Sequence, residues 1–241
     1  MRRLAVVLVL ALFGGGVLAA CGDGDDSESQ DDATDEVTDD EQTDGGDGDG
    51  EDQQLADAIV LTEMDVPDGF VEQENEDDDD DFDEDEAVVD CVDPDLLEEL
   101  QAIERGESGG AAESGFELDE LVIGSGALVM PDEALAEEFF DLYSGDCIED
   151  AFLESFTGES TDGPEFQVSV DPLEDLPDVG DAIEGFTVAG EASGFAITLE
   201  FVVLRTGRAM AFVFTAGLDE TFPTADRDAA IEAVAERMES A

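Results

Sequence analysis

The chain has no histidine, no lysine and no tryptophan, and its only tyrosine is Tyr143. Each absence closes off a chemistry. Without histidine there is no Ser-His-Asp or Cys-His nucleophile pair. With no histidine and only three cysteines, no metal site of the zinc type is expected. Seven arginines facing 70 acidic residues exclude nucleic acid and anionic headgroups as direct partners, because both need clustered cations. A carboxylate pair could still cleave a glycosidic bond. However, no aromatic-rich sugar platform accompanies any such pair, so the chain is not expected to be an enzyme or to hold a cofactor. Long apolar runs are missing too, apart from Leu4–Ala20, whose 17 residues are broken by Gly14-Gly15-Gly16. A spanning helix needs about 20.

What the chain does have is acid. The formal charge of −63 becomes −65 once Arg2 and Arg3 are removed. The acid is not confined to tails, since residues 87–241 still hold 38 Asp or Glu in 155 positions. At low ionic strength such repulsion opposes compaction. In about 1 M salt the screening length falls to about 3 Å and the penalty shrinks. This composition resembles that of proteins from salt-loving organisms. The rival reading is a metal-buffering surface, with cations loosely associated. The segment Asp44–Glu51 does not fit an ordered calcium loop: counting from Asp47, the sixth position is Asp52 where a glycine is needed.

The N-terminus carries Arg2 and Arg3, an apolar run Leu4–Phe13, small residues, and then Leu18-Ala19-Ala20-Cys21. This layout resembles a bacterial lipoprotein signal peptide over residues 1–20. The resemblance implies cleavage before Cys21, a diacylglyceryl thioether on its sulfur, and an extracytoplasmic, lipid-anchored chain. That would leave Cys91 and Cys147, and outside the cytoplasm two remaining thiols are expected to pair. Closing their loop of about 57 residues stabilises a fold by roughly 4 kcal/mol in the chain-entropy model.

Residues 21–54 read as an acidic disordered tether. Positions 22–54 hold 16 acidic residues and only Ala33 and Val37 as apolar side chains. Fully stretched, the tether reaches roughly 110 Å. A single domain is expected over 55–241, interrupted by an acidic loop at 74–86 with 11 carboxylates in 13 residues. Leu55, Ala58, Ile59 and Met64 suggest a short helix. Asp93-Pro94 opens a second helix along Leu96, Leu97, Leu100 and Ile103. Residues 116–129 read as one strand with a Gly124/Gly126 irregularity. Pro131 opens a helix through Leu135, Phe139 and Leu142 that continues past Gly145 to Phe152 and Phe156. Four extended pieces follow. The clearest, Phe195 to Val203, turns at Thr206-Gly207 and returns through Met210, Phe212 and Phe214. A last helix carries Ile231, Val234 and Met238 on one face. This order predicts an α+β domain: an antiparallel sheet with helices packed on one face.

Two groups could touch a ligand. Phe139, Phe140, Phe152 and Phe156 would line either the core or an apolar cavity. Arg205 and Arg208, flanking the hairpin turn, would either pair with nearby acids or meet an anionic group. Ser108 and Ser125 match no nucleophile motif and read as turn residues.

The segment Ile59–Phe70, the Cys91/Cys147 pair, the Arg205-Thr206-Gly207-Arg208 hairpin and the closing helix together resemble the PknH-like extracellular sensor domains and related actinobacterial lipoproteins. The resemblance covers about 55–241. It implies an extracytoplasmic α+β domain with disulfide support and a binding or sensing role. The chain departs from the pattern in three ways: it has cysteines for one disulfide where the kinase sensors commonly have two, it has no kinase domain, and it carries the extra 74–86 loop. No ligand residue is carried across. The expected function is a non-enzymatic, membrane-tethered domain that binds an envelope ligand or protein; the alternative is a carrier of lipid or another apolar molecule.

Overall fold

The computed structural model describes residues 49–73, 94–105, 107–145, 167–192 and 195–240. Cys21, Cys91, Cys147, Phe152, Phe156 and the 74–86 loop lie outside them. The described elements are α1 (Asp49–Ile59), β1 (Val71–Glu72), α2 (Pro94–Glu104), β2 (Gly110–Leu118), β3 (Leu121–Val129), α3 (Glu133–Tyr143), β4 (Gln167–Pro172), β5 (Ala182–Ala192), β6 (Phe195–Thr206), β7 (Ala209–Leu218) and α4 (Thr224–Ser240). The seven strands form one sheet in the order β1-β2-β3-β7-β6-β5-β4, antiparallel throughout. The α+β class and the antiparallel sheet match the sequence expectation.

The helices divide between both faces, where the sequence reading placed them on one. The reason is visible in β7, which is buried at nine consecutive positions from Ala209 to Gly217. A half-solvated antiparallel strand alternates apolar and polar residues; a strand apolar on both parities needs cover on both sides. Met210, Phe212 and Phe214 face one core with α2 and α3, together with Phe186, Phe201 and Val203. Ala209, Ala211 and Val213 face the other with α1 and α4, together with Ile59, Val202 and Ile231. Each fully buried side chain of this size contributes roughly 1.5–3 kcal/mol.

Residues 116–129 are not one strand but parts of two. The β2–β3 hairpin turns at Asp119-Glu120, in unbroken register from Leu118↔Leu121 to Gly110↔Val129. Asp119 takes a left-handed φ of 54°, a conformation Asp tolerates better than most residues. Gly124 marks no irregularity. A Cβ there would lie 2.2 Å from Phe214 Cζ, so the missing side chain is the seat of a ring from β7.

The first described helix, α1, begins at Asp49, six residues before the expected domain start at 55. Tertiary contacts hold this acidic helix in place. Gln53 donates to the Ala111 carbonyl (2.7 Å) and accepts from its N–H (3.4 Å), acting as a strand surrogate along the β2 edge that β1 does not cover. At α3, the Asp132 side chain accepts from the Leu135 N–H, capping the helix.

Candidate functional site

The β6–β7 turn organises one end of the sheet. Gly207 sits at φ 57°, and its N–H donates to the Asp181 carboxylate at 2.8 Å. The Asp181 N–H in turn donates to the Arg205 carbonyl. The two arginines predicted to act together leave this turn for opposite faces. Arg205 shares the parity of Phe201 and Val203 and points toward α3, where its Nη1 lies 3.9 Å from Glu133 Oε1. Arg208 reaches α1 instead. It forms a two-pronged pair with Asp52, and its Nη1 also donates to the Met130 carbonyl at 3.0 Å. The hydrogen bond to Asp52 raises the Arg208 guanidinium above its ordinary value against the opposing effect of burial.

Beside Arg208 lies an open groove of about 580 Å³ between α1 and α4, lined by Glu51, Gln54, Leu55, Ala58, Arg208 and Arg237 among others. Arg237 was not singled out from the sequence. Its Nη1 donates to the Val60 carbonyl (2.7 Å) at the end of α1, where a helix leaves acceptors without partners. Its Nη2 donates to Asp65. Asp65 also accepts from the Thr62 N–H (2.7 Å) and hydroxyl (2.6 Å). Burial alone would raise the Asp65 carboxyl, but the hydrogen bonds from Arg237 and Thr62 outweigh it and hold it below 3.8. The Thr62–Asp65 element is thus a clasp onto α4.

A second group missed by sequence reasoning is buried under α4. Arg227, 3% exposed at its side chain, lies 3.3 Å from Glu200 and 2.7 Å from Asp228. Thr215 donates to Glu200 at 3.2 Å. The signal was present, because Arg227 falls on the Ile231, Val234, Met238 stripe and Glu200 interrupts an apolar strand. Where described carboxylates meet here, they meet around an arginine.

Among the described residues, Phe139, Phe140 and Ser125 lie in the packed interior. Phe139 and Phe140 are buried in the α3 face. Phe139 stacks on Tyr143 at 6.1 Å, and Tyr143 contacts Phe212 at 4.9 Å. Phe201 closes the cluster against Phe186 (5.2 Å) and Phe212 (5.6 Å). Ser125 is not a turn residue. It is buried in β3, where its hydroxyl accepts from the Leu61 N–H at 2.8 Å and bonds Ser114. Among the described residues no helix is long and apolar enough to cross a membrane.

No family model matches the chain, and no curated protein matches it. Among solved structures it is similar to the extracellular domain of PknH from Mycobacterium tuberculosis, at 11% identity and a TM-score of 0.35. The match covers 54% of this chain and spans 64% of the length of that structure.

Proposed function

We propose that the chain is a lipid-anchored extracytoplasmic binding domain. Cys21 carries the anchor, the acidic segment after it spaces the domain from the membrane, and the domain engages an envelope ligand or partner without catalysing a reaction. The observation that supports the binding reading is that the described residues bury an apolar cluster on each face of the sheet, with an open groove beside α1 and α4. A carrier needs an internal apolar cavity, and here Phe139, Phe140, Phe201 and Phe212 pack into the core cluster instead. The lipobox-like Leu18–Cys21 supports the address. The charge favours cationic, basic or neutral partners over nucleic acid.

Native mass spectrometry of the protein taken from its own envelope tests this reading. The Ala58→Trp variant fills the groove from an exposed helix position. A species bound to the wild type and lost in Ala58→Trp supports the reading. A long-chain lipid retained equally by both would favour the carrier. The Cys21→Ala variant is expected to leave the membrane fraction; if it stays, the anchor assignment fails.

A further inference from the structure

We propose that the first six residues of α1 form a gate on the α1–α4 groove, latched by the Asp52–Arg208 pair, with Ala56 and Ile59 as its fixed end. The proposal rests on the reading of that groove as the binding site and adds how access to it is controlled.

The two halves of α1 are held by different means. The second half is built into the core. Ala56 and Ile59 are fully buried, and Arg237 Nη1 donates to the Val60 carbonyl just beyond them. The first half, Asp49-Gly50-Glu51-Asp52-Gln53-Gln54, contains no apolar side chain. Polar contacts hold it instead. Asp52 accepts two hydrogen bonds from Arg208, and Gln53 exchanges two with the Ala111 backbone. The Asp52 and Arg208 side chains are 17% and 39% exposed, so water reaches the pair. Beside these bonds the fit is backbone on backbone: a Cβ at Gly110 would lie 2.4 Å from the Asp52 carbonyl oxygen. Breaking such contacts exposes little apolar surface, and segments held this way open at lower free energy than a packed core.

Sequence weakens the closed state further. Gly50 costs the helix backbone entropy, although nothing lies within 4 Å of the place a Cβ would take. Asp49, Glu51 and Asp52 bring three like charges against a strongly acidic body.

Opening has a direct consequence. Glu51, Asp52 and Gln54 line the groove, so release of the first half of α1 removes part of its wall and frees Arg208. An occupant touching these residues holds the gate shut, and by reciprocity a gate held shut binds that occupant more tightly.

Hydrogen exchange in the full chain, without ligand, tests the gate. In an α-helix the N–H groups of Gln53 to Ala56 donate to the carbonyls of residues 49–52, so they report its first half. They are expected to exchange by a local opening insensitive to low denaturant, while the amides of β7 exchange only through a denaturant-sensitive opening of the core. Asp52→Asn removes the charge from the latch and is expected to speed exchange at Gln53 to Ala56 about tenfold with β7 unchanged. Gly50→Ala is expected to slow it about threefold and to offset part of the Asp52→Asn effect. Three results would overturn the gate: exchange at Gln53 to Ala56 with the same denaturant dependence as β7, no change in Asp52→Asn, or an equal acceleration of β7 in that variant. A groove reading that fails in Ala58→Trp leaves these readouts untouched, so the two failures are separable.

Discussion

The two faces of the sheet are held by different physics. The α2–α3 face is aromatic, with Phe139, Tyr143, Phe186, Phe201, Phe212 and Phe214 in one cluster. The α1–α4 face is built mainly from Ala, Val, Ile and Leu, with Phe116 and Phe222 among them. That second face is also where three arginines work: Arg208 and Arg237 lash α1, and Arg227 sits under α4. The aromatic face relies on rings with large buried area and geometric preferences. The aliphatic face buries smaller side chains, and ion pairs fix where its helices lie. In a chain with seven basic residues, committing three of them to one face is a large share.

The comparison breaks first at Phe201. It is 4% exposed and touches Phe186, Phe212 and Tyr143. Phe201→Ala is expected to cost about 4 kcal/mol by denaturant unfolding, from lost burial and the cavity left behind. Shortening an aliphatic side chain on the other face, as in Val202→Ala or Ile231→Val, should cost less. A smaller loss than that of Glu200→Ala would reverse the ranking of the two faces.

The buried network comes next. Removing one partner of a buried pair leaves an uncompensated charge. Glu200→Ala is therefore expected to cost about 3 kcal/mol, the low end for such losses because Arg227 keeps Asp228. The double change Glu200→Leu with Arg227→Met removes both charges and should recover most of that loss. Recovery would show that the pair positions α4 more than it stabilises the fold. Equal or worse loss in the double variant would show that the network is a net source of stability.

Much of this architecture is legible in the sequence where the signal is local. Strict alternation over Phe195–Val203 and the Thr206-Gly207 turn located the β6–β7 hairpin, and the Ile231, Val234, Met238 stripe located α4. Other parts were hidden for identifiable reasons. The β2–β3 turn uses Asp119-Glu120 rather than Asn-Gly or Asp-Gly, so the usual hairpin signature is missing. The start of α1 is written in acidic residues that read as disordered, and its anchor, Asp52 to Arg208, spans 156 positions. The two-sided sheet was readable in β7, whose intervening Ala209, Ala211 and Val213 are as apolar as the alternating residues. At the candidate site, Arg205 and Arg208 look like a pair in sequence. Strand parity and the turn send them to opposite faces, Arg208 onto Asp52 and Arg205 toward Glu133.

The smallest effect tests the clasp on the aliphatic face. Asp65 is held below its ordinary value of 3.8 by Arg237 and Thr62, which outweigh its burial. A carboxyl with a lowered folded pKa contributes stability that is fully present above the unfolded value and is lost as pH falls through the folded one. Asp65→Asn is therefore expected to cost about 1–2 kcal/mol near neutral pH, the range for a hydrogen bond to a charged partner. The gap between variant and wild type should narrow below about pH 4 as Asp65 itself takes up a proton. The many other carboxyls titrate in both proteins, so their relief of repulsion cancels in the difference. A gap independent of pH would mean that Asp65 acts through packing and not through its charge, and the aliphatic face would then lose one of the ion pairs that set it apart from the aromatic one.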